Sequence, residues 1–87
     1  MNYIAHQEIE ITSVEFHQQP SQERLQGYPK RMVYDGHEYT FIELSMRYLV
    51  RTGQQLVQLY DMFDGSTLYR LRCENNHWTL VGTGAGA

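Results

Sequence analysis

Apolar and polar residues alternate along most of the chain, a pattern typical of β-strands with one buried face. Near the start, in the stretch QEIEITSVEF, Ile9 and Ile11 alternate with glutamates, and the apolar phase then changes before Val14. A β-bulge near Thr12 or Ser13 would explain this change of phase. The pattern therefore predicts an N-terminal strand with a bulge in its second half.

Four dipeptides of the kind that form tight turns separate the later apolar runs. They are Asp35-Gly36, Thr52-Gly53, Asp64-Gly65 and Asn75-Asn76. The strands predicted between them cover residues 30–34, 37–51, 55–63, 67–74 and 77–82. This spacing predicts an all-β fold: a small antiparallel meander that closes into a partial, SH3-like barrel of five or six strands.

Residues 39–51 contain no Gly or Pro, so a helix is the competing interpretation for this stretch. The apolar residues from Ile42 to Val50 recur at every second position, which favours a strand. Tyr39 and Phe41 are in the opposite phase. We therefore expect a bulge or sharp bend at Phe41-Ile42.

Turn positions predict which side chains share a face of the sheet. If Asn75 and Asn76 are the turn residues, 74 pairs with 77, 73 with 78, 71 with 80 and 69 with 82. A three-residue loop at 64–66 would pair 59 with 71, and a two-residue turn at 52–53 would pair 48 with 57. Together these registers predict an inner face of Met46, Tyr48, Val50, Val57, Leu59, Tyr69, Leu71, Cys73, Trp78 and Leu80.

The same registers predict a second, outer face that carries four arginines. We take its polar members as the candidate binding residues: Arg47, Arg51, Tyr60, Arg70, Arg72 and His77. Gln58 and Thr79 lie among them, as do three leucines: Leu49, Leu56 and Leu68. Arginine beside tyrosine on an exposed sheet suits protein interfaces, and also phosphates and stacked bases. Ordinary cross-strand ion pairs are the structural alternative.

Composition and length indicate one small domain. The chain has 87 residues, of which 41% are hydrophobic and 20% charged, and its formal net charge is −3. We expect a single domain over residues 1–82, with a surface loop at 17–29 and a disordered tail at 83–87. The chain has one cysteine and no secretory signal pattern, so the expected location is cytoplasmic. No apolar run is long enough to span a bilayer, so we expect no membrane contact.

Catalytic and metal-binding motifs are weak. Cys73 and His77 should point to opposite faces of their hairpin, so the imidazole could not take the thiol proton. One cysteine with four scattered histidines does not make a zinc motif. Glu38 and Glu43 are not expected to converge. We predict no enzyme activity, no cofactor and no metal.

The order Pro29, Tyr34, Gly36, Tyr39, followed by Tyr69-Arg70-Leu71 and Trp78-Thr79-Leu80, resembles an uncharacterised bacterial family of small β domains. Some members of that family lie beside, or are fused to, relatives of Y-family DNA polymerases. The resemblance implies a nucleic-acid-associated module and supplies no catalytic residues.

The leading functional hypothesis is a non-catalytic interaction module that binds a protein partner through the Arg/Tyr face. A nucleic-acid-associated module is the first alternative. The second is a self-associating structural protein that forms a homodimer through the exposed leucines or an unpaired edge strand.

Overall fold

The structure, a computed structural model, describes residues 1–17 and 26–86. This part of the chain forms eight β-strands and no helix, so the predicted all-β class is confirmed, with more strands than the five or six expected. The alternation of apolar residues after Ile42 does produce a strand rather than a helix. The strands are β1 (Asn2–Glu8), β2 (Glu10–His17), β3 (Gln26–Tyr34), β4 (His37–Thr40), β5 (Glu43–Thr52), β6 (Gln55–Phe63), β7 (Thr67–Glu74) and β8 (His77–Ala85).

The strands are arranged in two antiparallel sheets. The larger sheet has the order β1-β8-β7-β6-β5, and the smaller one has the order β2-β3-β4. Apart from β1, which joins β8, the neighbours in each sheet follow one another along the chain. Among the described residues the two sheets do not close into a barrel, which fits the predicted partial barrel. Within residues 1–17 and 26–86, no helix is long and apolar enough to cross a membrane.

The chain passes from one sheet to the other at Ile9 and again at Phe41-Ile42. The predicted bend is confirmed there: the Phe41 N–H donates to the Lys30 carbonyl in β3 at 2.8 Å, whereas the next N–H, of Ile42, donates to the Phe63 carbonyl in β6 at 2.8 Å. Adjacent residues thus hydrogen-bond to different sheets. The predicted bulge in the N-terminal region is also present, since the β2–β3 register shifts on both sides of Ser13.

The core contains side chains from both sheets. Met32 and Phe41, on the side of the small sheet, are fully buried against residues of the large sheet. The Tyr69 ring links the sheets, because its centroid lies 5.5 Å from that of Tyr39 and 5.7 Å from that of Phe41. The buried cluster comprises Met32, Phe41, Tyr60, Met62, Leu71 and Leu80.

The β7–β8 hairpin has the predicted register near its turn. Asn75 and Asn76 adopt φ values of 51° and 62°, as a two-residue turn requires. Cys73 pairs with Trp78, and Leu71 with Leu80. Farther from the turn the prediction is wrong: the register shifts between residues 70 and 71, so residue 69 pairs with 83 rather than 82. The extra residue in β8 is Val81, which is buried next to the buried Leu80.

The pairing of β6 with β7 is displaced by one residue from the prediction. Phe63 pairs with Leu68, so four residues lie between these paired residues instead of three, although the last of them, Thr67, already belongs to β7. The Asp64 carboxylate explains the additional residue, because its Oδ1 accepts hydrogen bonds from the N–H groups of Ser66 at 2.9 Å and Thr67 at 2.7 Å. A slip of one residue reverses the face of every side chain. Tyr60, rather than Leu59, therefore lies opposite Leu71.

The turn between β5 and β6 also differs from the prediction. Gly53, with φ of 60°, and Gln54 occupy it, so Tyr48 pairs with Leu59 and not with Val57. Because this shift is two residues, the side chains of β5 and β6 that were predicted to share a face still share one. The side chains of β6, however, lie on the opposite face from the one predicted relative to β7, and those of β5 therefore do so as well. The predicted inner face is therefore wrong for both β5 and β6.

The predicted tail is wrong in part, since β8 continues through Ala85 and Thr83 pairs with Asn2 of β1. Glycine at position 82 allows this pairing to be close: a Cβ added there would lie 2.9 Å from the Met1 sulfur. The predicted surface loop at 17–29 is wrong at both ends, because residue 17 belongs to β2 and residues 26–29 belong to β3. Residues 18–25 and 87 lie outside the described residues.

Candidate functional site

Arg70 lies at the centre of a polar cluster on the outer face of the large sheet. Its guanidinium forms two hydrogen bonds with the Asp61 carboxylate, from Nε to Oδ1 at 2.8 Å and from Nη2 to Oδ2 at 2.9 Å. Nη1 donates to the Tyr3 hydroxyl at 2.8 Å and Nη2 to the Tyr48 hydroxyl at 3.3 Å. Both tyrosine rings also lie against the cation, with centroids 5.8 Å and 5.0 Å from Cζ. We call these four residues the Arg70 cluster.

The Asp61–Arg70 pair of the cluster is largely closed to solvent, whereas Tyr3 is 70% exposed. The Asp61 side chain is 6% exposed and the Arg70 side chain 18%. The hydrogen bonds from Arg70 to Asp61 raise the pKa of the guanidinium above its usual value, against an opposing effect of burial. A two-pronged arginine–carboxylate pair of this kind is geometrically specific. The charge of Arg70 is therefore compensated within the fold.

Arg72 and His77, near the β7–β8 turn, also have partners within their own chain. Arg72 donates from Nη2 to the Glu74 Oε2 at 2.7 Å, with both side chains about one quarter exposed. His77 Nε2 lies 3.0 Å from the Glu8 Oε1, and both of these side chains are well exposed. For Arg72, the structure thus favours the ordinary ion pair considered as the alternative.

Arg47 and Tyr60 occupy the opposite face of the large sheet. Tyr60 belongs to the buried core and is 4% exposed, and burial raises the pKa of its phenol. Arg47 covers the Tyr60 ring, with Cζ 5.3 Å from the centroid, and donates from Nη2 to the Gln58 Oε1 at 3.2 Å. The Tyr60 hydroxyl donates to the same Gln58 oxygen. The register of β5 and β6 places Arg51 on this face too.

The predicted single Arg/Tyr face is therefore wrong. The reversal of β6 against β7 separates Arg47, Arg51 and Tyr60 from Arg70, Arg72 and His77. Sequence reasoning also missed Asp61, the carboxylate that pairs with Arg70. The correct four-residue loop would have placed Asp61 directly opposite Arg70, as the observed register does.

Among the described residues the large sheet has two edge strands, β1 and β5. Strand β5 pairs with β6 alone, and after a bulge at Ser45 its residues 46–52 form a regularly paired segment. Apolar side chains surround this segment on both faces of the sheet, although the sequence predicted two of them to lie inside. They are Met46, Leu49, Val50 and Leu56, which are 50%, 65%, 41% and 43% exposed. We call residues 46–52 with Leu56 the β5 edge surface.

Cys73 and His77 do not form an acid–base pair. Cys73 faces the same side as Trp78, while His77 pairs with Glu74 on the other side, so their predicted opposite orientation is confirmed. Burial raises the pKa of the Cys73 thiol, although a backbone hydrogen bond from Asn76 opposes this effect. A raised thiol pKa disfavours the reactive thiolate. In the part of the chain that the structure describes, no three His, Cys, Asp or Glu side chains are grouped so that they could hold a metal ion.

Comparisons with known proteins give no match, whether to a protein-family model, a curated protein or a solved structure. The resemblance to the bacterial family of small β domains therefore stays a prediction.

Proposed function

We propose that the protein is a non-catalytic interaction module that binds a protein partner through the β5 edge surface. The observation that carries this proposal is the combination of an unpaired strand edge with exposed apolar side chains on both of its faces. The proposal keeps the protein-partner hypothesis and moves the binding surface from the Arg/Tyr face to β5.

Free backbone groups supply the first part of the binding chemistry. An edge strand presents a row of N–H and C=O groups that can pair with an extended segment of another chain. Residues 46–52 continue for seven positions beyond the bulge, which is long enough for a short added strand. The side chains on either side would then supply specificity.

Apolar contact supplies the second part. Leu49 and Leu56 lie on one face of the hairpin, and Met46 and Val50 lie on the other. A partner strand placed along β5 would cover side chains of both groups. Burial of apolar surface contributes about 25 cal/mol per Å², part of which offsets the entropy lost on association.

A nucleic-acid ligand has less support from the same surface. Arg70 and Arg72 already bind Asp61 and Glu74, so they are poor phosphate ligands. Arg47, which contacts Gln58 and Tyr60, and Arg51 both lie on β5. If both contacted phosphates, the binding constant would fall with only about the second power of the salt concentration, which is a shallow dependence. Exposed leucine, methionine and valine have no role in contacting phosphates.

The proposal can be tested by selecting peptides from a random display library against the folded protein. We expect selected peptides to lose about tenfold or more in affinity for Leu49→Lys, because the lysine replaces an exposed apolar contact at the centre of the β5 edge surface. The matched control is Phe16→Lys, since Phe16 is similarly exposed, at 64%, but lies on β2 in the other sheet. Its affinity for the same peptides should not change.

Three outcomes would contradict the proposal. Peptides that bind wild type and Leu49→Lys equally would place binding elsewhere. Binding of oligonucleotides alone, with an affinity that falls steeply with salt, would favour the nucleic-acid alternative. Sedimentation that shows a concentration-dependent dimer, lost in Leu49→Lys, would assign the β5 edge surface to self-association.

A further inference from the structure

We infer that the β5 edge surface selects an extended segment with two acidic residues four positions apart and an apolar residue midway between them. This inference rests on the proposed function and deepens it by naming the chemistry of the partner. The observation behind it is the row Arg47, Leu49, Arg51 on one face of a free edge strand.

The spacing of this row defines the spacing of the acids. Residues at i, i+2 and i+4 of a strand lie on one face, and a rise of about 3.3 Å per residue separates the two arginine positions by roughly 13 Å. A strand paired with β5 has the same rise. Its residues directly opposite have Cβ atoms about 5 Å away, so acids at i and i+4 would meet both arginines.

The chain supplies no acid of its own to this row from β5 or β6. On β6, Tyr60 is opposite Arg47, Gln58 is opposite Leu49 and Leu56 is opposite Arg51. Glu43, the acid of β5, precedes the bulge at Ser45 and pairs with Phe63 on the other face. Within the described residues, Arg51 has no hydrogen-bond or ion-pair partner.

Contacts with β6 also hold one arginine of the row in place. Arg47 lies over the Tyr60 ring and donates to Gln58, so its guanidinium is ordered before a partner arrives. An arginine has five N–H donors, and its hydrogen bonds to a carboxylate are stronger than those to a neutral group. Ordering a side chain in advance lowers the entropy lost on binding.

A second copy of β5 would be a poor occupant of this edge. In an antiparallel pairing centred on Leu49, Arg47 would face Arg51 of the other copy, and in one centred on Arg47 two equivalent arginines would meet. Like charges directly opposite each other destabilise a strand pair. An acidic segment removes this repulsion and adds two favourable pairs.

The probe is the peptide Thr-Glu-Thr-Val-Thr-Glu-Thr with blocked ends, titrated into the 15N-labelled protein at low salt and followed by amide chemical shifts. We expect shifts at residues 46–52 and an affinity about fivefold higher than for the same peptide with Gln in place of both Glu, since each exposed ion pair contributes about 0.2 to 1 kcal/mol. A third peptide has Lys at both positions and should bind more weakly than the Gln version.

Charge exchange provides the decisive comparison. Arg51→Glu should lose the preference for the Glu peptide and bind the Lys peptide better than wild type does. The matched control is Arg31→Glu, which makes the same change of charge at an exposed position on β3 of the other sheet. It should keep the wild-type order of affinities.

The outcomes separate this inference from the proposed function. Equal affinity for the Glu and Gln peptides, with shifts at residues 46–52, would overturn the acidic pattern and leave edge binding in place. No shifts with any of the three peptides, while display-selected peptides still depend on Leu49, would also overturn the acidic pattern alone. Equal effects of Arg51→Glu and Arg31→Glu would show that the preference is a net-charge effect and would overturn it as well.

Discussion

The two hairpins of the large sheet, β5–β6 and β7–β8, each carry two arginines with a leucine between them, yet the surroundings of these side chains differ. On β7, Arg70 and Arg72 bind acids of the same chain, and Leu71 between them is fully buried. On β5, Arg47 and Arg51 flank Leu49, which is 65% exposed. In β7 the leucine lies on the opposite face from the two arginines and belongs to the core, whereas in β5 the two arginines and the leucine share one face and the leucine is exposed.

The position of each strand in the sheet accounts for this difference. Strand β7 has β6 on one side and β8 on the other, so its side chains meet neighbours in both directions. Strand β5 has β6 alone. Arg70 and Arg72, in an interior strand, have their counter-charges within the fold, whereas Arg51, in an edge strand, has no ion pair among the described residues. The following predictions test this comparison.

The largest difference is expected between the two leucines. Leu71→Ala should lower the free energy of unfolding by about 3 to 4 kcal/mol, because it leaves a cavity at a fully buried site. Leu49→Ala should change it by less than about 0.5 kcal/mol, as for other exposed sites. Urea unfolding of both variants measures the two values. Similar values would mean that the β5–β6 hairpin is packed as tightly as the core.

The next largest effect concerns the Arg70 cluster. Asp61→Ala should destabilise the fold by about 2 to 3 kcal/mol, because it leaves the Arg70 guanidinium mostly buried without its carboxylate. The matched variant on β5, Arg51→Ala, should have an effect below about 0.5 kcal/mol.

The double variant Asp61→Leu with Arg70→Met should recover at least half of the stability lost in Asp61→Ala, since it removes both buried charges. Thermal unfolding of the three variants provides the measurement. A double variant less stable than Asp61→Ala would mean that the contacts of Arg70 with Tyr3 and Tyr48 matter more than its pairing with Asp61.

The smallest expected effect depends on pH and concerns the loop that joins the two hairpins. Burial acts to raise the pKa of the Asp64 carboxyl, but the hydrogen bonds from the Thr67 and Ser66 N–H groups and the Tyr69 hydroxyl outweigh it and lower the pKa below its usual value. A lowered pKa in the folded state means stability that is present above the unfolded pKa of about 3.9 and is lost as the pH falls through the folded value.

Asp64→Asn should therefore be less stable than wild type by about 1 kcal/mol at pH 7. The gap should shrink below pH 4, as the wild-type carboxyl becomes protonated. Urea unfolding from pH 7 to pH 2.5 measures the gap. A gap that stays constant across this range would contradict an ionised Asp64 as the acceptor of the loop.

Local patterns along the chain predicted those parts of the structure that depend on neighbouring residues. The bulge near Ser13, the bend at Phe41-Ile42 and the Asn75-Asn76 turn were all predicted correctly. Each of these features follows from a change of apolar phase or from a residue type that tolerates positive φ. The opposite orientation of Cys73 and His77 followed from the same turn.

The registers of the other hairpins were not predictable in this way, because one depends on which two residues form the turn and the other on one additional residue between the paired strands. Asp64 accepts two backbone hydrogen bonds, and four residues rather than three lie between the paired residues Phe63 and Leu68. Because of that additional residue, the side chains of β5 and β6 lie on the opposite face from the one predicted relative to β7. The predicted arginine face is thereby divided in two. A small error in a turn therefore produced a large error in the candidate site.

The amino-acid sequence by itself determined the all-β class, most strand positions and the turn of the β7–β8 hairpin, because alternation and turn chemistry act over a few residues. Only the tertiary structure decided which arginines are compensated and which edge is open, because these depend on strand order and on loop lengths summed across the sheet. Arg70 meets Asp61 and Tyr3 through two different strand pairings, and β5 is accessible because the meander ends there.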